Sequence, residues 1–195
     1  MPEQLALTGF EAPRPTSDRL FFAILPDAQA IARIDRLVHE LSEEHALRGK
    51  PLGRERFHVS LHHVGDFAGL PQDVVDAACA LAETVTTTAP FELRFDRVAS
   101  FTRKSHNMPL VLLGDAAVLA LTGFQHALAA AMAGAGLGRA AGSHFNPHLT
   151  LLYDDRRVAE RAIEPIGWTA GEFVLVRSLI GRSRHELLAR LPLRG

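Results

Sequence analysis

Apolar and polar positions follow two different periods along this chain, and the changes of period mark its elements. The run R-L-F-F-A-I-L, from Arg19 to Leu25, is compact and apolar and predicts a strand. Pro26 and Asp27 then open a helix, in which Ile31, Ile34, Val38 and Leu41 recur at spacings of three and four. A polar loop from Arg48 to Arg56, with Gly49, Pro51 and Gly53, separates it from a second strand, Phe57 to Val64, closed by Gly65. Pro71 starts another helix, reaching about Val85, with Val74, Val75, Ala78 and Leu81 on one face. Phe91 to Phe101 alternates in part, and Leu110 to Leu113 is short and apolar; both predict strands. Asp115 caps a third helix carrying Leu121, Phe124, Leu128 and Met132. His148 to Tyr153 predicts another strand, and two more, about Glu172 to Ile180 and His185 to Leu191, meet near Gly181 and Arg182.

Helices and strands thus mix without strict βαβ alternation, and several links are of hairpin length, which argues for an α+β fold rather than a doubly wound parallel sheet. Residues 1–17 hold Pro2, Pro13 and Pro15 and little periodicity, so a flexible leader is expected there, ahead of one domain over 18–195. No repeat of 20–50 residues is present.

Composition narrows the function classes. An apolar fraction of 47% and a charged fraction of 22% are ordinary for a soluble globular domain. The single cysteine, Cys79, excludes an internal disulfide and fits a reducing compartment. The start M-P-E-Q-L-A-L-T-G-F lacks the basic start and apolar run expected of a signal peptide, and the most membrane-like stretch, Ala116 to Gly138, is broken by Thr122, Gln125 and His126. A cytoplasmic protein without membrane contact is expected. The net charge of -1 argues against a bulk nucleic-acid binder, although 19 of the 21 basic residues are Arg, the residue suited to bidentate phosphate contacts.

Two glycine or serine signatures fail on context. G-A-G-L-G-R-A-A-G at 134–142 follows a helix rather than a strand and has Arg139 where the third glycine of a dinucleotide loop belongs. No G-x-S-x-G elbow is present to support a serine hydrolase.

The chemistry concentrates in two matching strands. F-H-V-S-L-H-H-V-G at 57–65 and H-F-N-P-H-L-T-L-L-Y at 144–153 each contain H-x-[ST] with apolar neighbours. In a strand, His58 and Ser60 share one face, as do His148 and Thr150, while Val59, Leu61, Leu149 and Leu151 face a core. Each motif therefore holds an imidazole beside a hydroxyl over a cleft, and the pairing predicts two similar lobes facing each other. Two imidazoles with ordinary pKa values near neutrality can act as acid and base. The hydroxyls can donate hydrogen bonds to phosphate oxygens as charge develops on a five-coordinate phosphorus.

On these residues the chain resembles the 2H phosphoesterases, and most closely the RNA 2′,3′-cyclic phosphodiesterases, also called 2′-5′ RNA ligases. The resemblance runs from about Arg19 to Leu193 and includes R-L-F-F-A-I, F-H-V-S-L, F-N-P-H-L-T-L-L and the closing S-L-I-G-R-S-R-H. It implies a bilobal α+β fold with mostly antiparallel sheets, helices outside and a pseudo-twofold cleft. It also implies metal-independent opening of a 2′,3′-cyclic phosphate to a 2′-phosphate, an RNA-processing hydrolase reaction, with 2′-5′ RNA ligation as a possible second direction. His58 and His148 match the catalytic pair, and Ser60 and Thr150 the phosphate-holding hydroxyls. Arg103 falls where relatives place a basic or aromatic substrate contact. Ser60 stands in place of the usual Thr, His62 and His63 in place of apolar or aromatic residues, and His185 in place of a common tyrosine.

Further substrate contacts are expected at His62, on the strand face of His58, at His144 in the loop before the second motif, and at Arg182. His148 is taken as the base and His58 as the acid. No metal or other cofactor is expected, since the motifs supply two imidazoles where a zinc hydrolase needs three or four ligands. The expected partners are RNA ends or small cyclic nucleotides, and the chain is expected to be a monomer with no obligate protein partner. Two rival functions remain: a non-catalytic module of the same fold that binds a nucleotide or RNA end, and a phosphodiesterase acting on a small non-RNA cyclic phosphate.

Overall fold

A computed structural model describes residues 15–103, 105–114, 118–138 and 145–195. Among them, eight strands form one sheet: β1 (Asp18–Ile24), β2 (Val59–Phe67), β3 (Phe91–Ser100), β4 (Met108–Leu113), β5 (Leu149–Asp154), β6 (Arg161–Ala170), β7 (Glu172–Leu179) and β8 (Arg184–Pro192). The helices are α1 (Ala28–Glu44), α2 (Gln72–Glu83) and α3 (Val118–Gly134), with a short 3-10 turn at Arg54–Arg56. The strand order is β6-β3-β4-β5-β2-β1-β7-β8, and every pairing is antiparallel, which makes the fold α+β.

That order divides into two four-stranded halves. In each, an inner strand that carries a His-x-hydroxyl motif pairs with the strand before it in sequence, β5 with β4 and β2 with β1. The halves join through one paired position, Val59 with Leu149. The main core lies on one side of the sheet, where Phe22, Val59, Leu149, Phe95 and Phe173 meet Ile34 and Leu41 of α1 and Leu121, Phe124 and Leu128 of α3. Helix α1 begins where the sequence predicts, because the Asp27 side chain accepts a hydrogen bond from the Ala30 N–H at 2.7 Å. A smaller apolar cluster of Phe21, Ala23, Val174 and Val176 lies on the other face of β1 and β7.

Two features depart from the sequence pattern. Strand β6 is unpredicted: R-A-I-E-P-I-G-W-T-A contains Pro165 and Gly167 and no clean alternation, and it is an edge strand, where proline is tolerated. The motif strands are also bulged. Ala23 pairs with Ser60 and Phe22 with His62, so Leu61 has no partner; Val111 pairs with Thr150 and Leu110 with Leu152, so Leu151 has none. An extra residue reverses the facing of the residues beyond it. Most of the expected leader, with the expected Asp115 cap and His144, lies outside the described residues. Among the described residues, no helix is long and apolar enough to cross a membrane, which says nothing of spanning by strands.

Candidate active site

The join between the halves sets the site. Antiparallel pairing of Val59 with Leu149 puts His58 level with Thr150, and Ser60 level with His148, across adjacent strands. Val59 and Leu149 are fully buried in the main core, so their neighbours in sequence point to the opposite face. Ser60 is exposed beside Ala23, and Thr150 is half-buried beside Val111. The structure thus brings the two predicted pairs together on one face.

The two imidazoles are held in the same way. His58 Nδ1 lies 2.7 Å from the Arg56 carbonyl oxygen, and His148 Nδ1 lies 2.9 Å from that of Asn146. A carbonyl can only accept, so each Nδ1 carries the hydrogen and each Nε2 is left for chemistry. In both cases the acceptor is two residues earlier in the chain. Aromatic rings fix the remaining freedom: Phe21 sits 5.0 Å from His58 between ring centroids, and Phe101 sits 5.0 Å from His148.

The surroundings of the two rings differ. Burial, reinforced by the nearby charges of His148 and Arg56, lowers the His58 pKa below its ordinary value despite the Arg56 carbonyl bond. His148 instead lines an open cavity of about 640 Å³, with Phe101, Arg103, Asn146, Arg157 and Glu160 around it. That volume is in the range of small-molecule sites. Arg103 is exposed on its rim.

The other predicted contacts fall elsewhere. His62 is expected on the His58 face, but the Leu61 bulge turns it to the core side. There it is 6% exposed and its Nε2 donates to the Leu137 carbonyl at 2.9 Å. His63 takes the cleft side instead, opposite Phe21, and its Nε2 pairs with Asp66 at 2.9 Å. The Asp66 carboxyl is held far below the usual range, first by a paired hydrogen bond from Arg19 at 2.7 Å. Arg182 is exposed in the turn between β7 and β8 and is not part of the cavity beside His148. Among the described residues, no three His, Cys, Asp or Glu side chains gather to hold a metal ion.

Sequence patterning misses Phe21 and Phe101 as ring supports, and it misses Asn146 and Arg157 on the cavity wall. Phe21 leaves one trace: with Phe22 adjacent in a strand, one of the two rings has to leave the core.

The 2′-5′ RNA ligase superfamily model matches residues 25–182. Solved structures cover nearly the whole chain. E. coli LigT in apo form is 23% identical with a TM-score of 0.74, over 93% of this chain and 100% of that one. TT0787 of Thermus thermophilus is 22% identical with a TM-score of 0.73, over 91% and 98%. E. coli LigT complexed with 3′-AMP is 25% identical with a TM-score of 0.67, over 92% and 99%. No curated protein sequence matches the chain. With more than half its length matched by the family model, and both His-hydroxyl pairs inside the matched region, the chain belongs to the 2′-5′ RNA ligase superfamily.

Proposed function

We propose that the chain is a cyclic phosphodiesterase that opens RNA or nucleotide 2′,3′-cyclic phosphates to 2′-phosphates by two-histidine catalysis. The observation that carries this reading is the repeated geometry. Two imidazoles each have Nδ1 bonded to a backbone carbonyl and, among the described residues, Nε2 unengaged; each lies level with the hydroxyl of the opposite strand. A phosphate between the strands would meet an imidazole at each end and hydroxyl donors from both halves.

In the forward reaction His148 Nε2 takes a proton from water as the water oxygen bonds to phosphorus. His58 Nε2 gives its proton to the 3′ oxygen as the P–O3′ bond breaks. The products are a 2′-phosphate and a 3′-hydroxyl, and the proton count on the pair is unchanged. His58 suits the acid role because a ring whose pKa is held down releases its proton readily, and a bound phosphodiester anion favours its loading. Ser60 and Thr150 stabilise the charge developing on the non-bridging oxygens. In 2′-5′ joining, a 5′-hydroxyl would take the place of water as the nucleophile; cleavage of the joined product would run the same steps backwards, with the two roles exchanged.

The cavity beside His148 has room for a nucleoside, and the E. coli LigT structures with 3′-AMP and with ATP are relatives seen with nucleotides. Hydrolysis of an RNA oligonucleotide ending in a 2′,3′-cyclic phosphate tests the proposal, with the 2′-phosphate as the expected product.

A further inference from the structure

We propose that His185 is a positioning residue for His58, walling one flank of its ring from water and so setting how tightly His58 holds its proton.

The placement is unexpected for its strand. His185 is in β8, an edge of the sheet, and pairs with Ser178 of β7. Between β8 and β2 lie two further strands. Its ring nevertheless reaches within 5.4 Å of His58 at an interplanar angle of 69°, and within 5.6 Å of Phe21 at 74°. With Phe21 and His58 at 5.0 Å, the three rings touch one another. His58 is therefore fixed by the Arg56 carbonyl at Nδ1 and by a ring on each of two flanks. His148 has one ring neighbour among the described residues, Phe101, and an open cavity at its side. The two halves match in how they hold the imidazoles but differ in how much water reaches them.

A histidine is a suitable wall only if it is uncharged. Burial, with the nearby charges of His58 and Arg56, holds the His185 pKa down to about 4. It is therefore uncharged at neutral pH. The charged or titratable groups facing these two rings are His148 just before β5, Arg56 and Glu55 from the 3-10 turn, and each other. Neutral His185 acts on His58 through exclusion of water, so removing the ring should matter and replacing it with an uncharged ring should not.

The kinetic consequence rests on the two-histidine reading, but the proton affinity of His58 can be read without it. The experiment is an NMR titration of the histidine Cε1–H signals in the full chain, for wild type, His185→Phe, His185→Gln and His185→Ala. The expected result is a His58 titration below the ordinary range in wild type, unchanged in His185→Phe. In His185→Gln and His185→Ala it should move up by about half a unit or more as water reaches the ring. An unmoved His58 titration in the Gln and Ala variants would overturn the proposal, as would equal movement in all three. If no cyclic phosphate is turned over but these shifts appear, the reaction assignment fails and the positioning role stands. If turnover is found and the shifts are absent, the positioning role fails.

Discussion

Val59 and Leu149 form the one paired position between β2 and β5, and both are fully buried. Both predicted His-hydroxyl pairs lie one residue to either side of them. His58 and Ser60 flank Val59, and His148 and Thr150 flank Leu149, so the two motifs are registered by core packing rather than by contacts among the polar groups.

Removing either imidazole should cost about a thousandfold or more in kcat on a cyclic phosphate, the scale of general acid-base catalysis. The acid can be told from the base with a substrate that needs no acid. On an aryl phosphodiester, whose leaving group departs unprotonated, His58→Ala should recover to within about tenfold of wild type and His148→Ala should not. Recovery of His148→Ala alone would exchange the roles.

The hydroxyls should matter in the transition state and little for folding. Ser60→Ala and Thr150→Ala should each lower kcat by about ten- to a hundredfold, with the melting temperature shifted by little, because both sit off the core. Ser60→Thr keeps the donor and should stay near wild type. Equal losses for Ser60→Ala and Ser60→Thr would mean the hydroxyl is not the active feature.

Both motifs are legible in the sequence because H-x-[ST] spacing survives any detail of strand geometry. The bulges at Leu61 and Leu151 are not, since a bulge leaves no fixed residue signature; hence strict alternation puts His62 on the wrong face and passes over His63. Helix α1 is legible from its cap and its period, as Asp27 and the buried Ile34, Val38 and Leu41 show. Strand β6 is hidden by Pro165 and Gly167, which an edge strand tolerates. His185 stands out as an unusual residue but not as a neighbour of His58, because β8 reaches it only through the order of the finished sheet.

Stability should fall in two stages on acidification. His58, His62 and His185 all have pKa values lowered from 6.5, each primarily by burial. The unfolded chain then binds protons that the folded chain resists, so this stability is complete above pH 6.5 and is lost as pH falls towards about 4, the His185 value. Asp18, Asp66 and Asp154 have pKa values lowered from 3.8, so their contribution persists to lower pH and is lost below that value. A melting-temperature scan from pH 8 to 3 checks this; a flat line between pH 6.5 and 4 would contradict it.

His62→Leu separates one part of that response. Leu152 occupies the equivalent place after the bulge of β5, so a leucine suits the geometry. The variant should weaken the upper stage while costing about 1–2 kcal/mol near pH 8, because the Leu137 carbonyl loses its partner. An unchanged slope between pH 6.5 and 4 would mean that His62 takes no part in the acid response.

Gly138 should tolerate no side chain. Its φ of 81° favours glycine, and a Cβ there would overlap the His63 carbonyl oxygen and the His62 ring nitrogen. Gly138→Ala should destabilise by more than about 1 kcal/mol, read as a lower melting temperature. An unchanged value would mean that this close approach to β2 is not kept in solution.

Two-histidine catalysis meets its sharpest test in a single turnover assay. An RNA oligonucleotide ending in a 2′,3′-cyclic phosphate would be incubated in EDTA with wild type, His58→Ala and His148→Ala, and the products resolved by position of the phosphate. The mechanism predicts a 2′-phosphate from wild type and none from either variant. A 3′-phosphate product, turnover abolished by the chelator, or full activity in either variant would contradict it. No turnover of this RNA, nor of a small cyclic phosphate run alongside, would instead favour a binding role for the cleft.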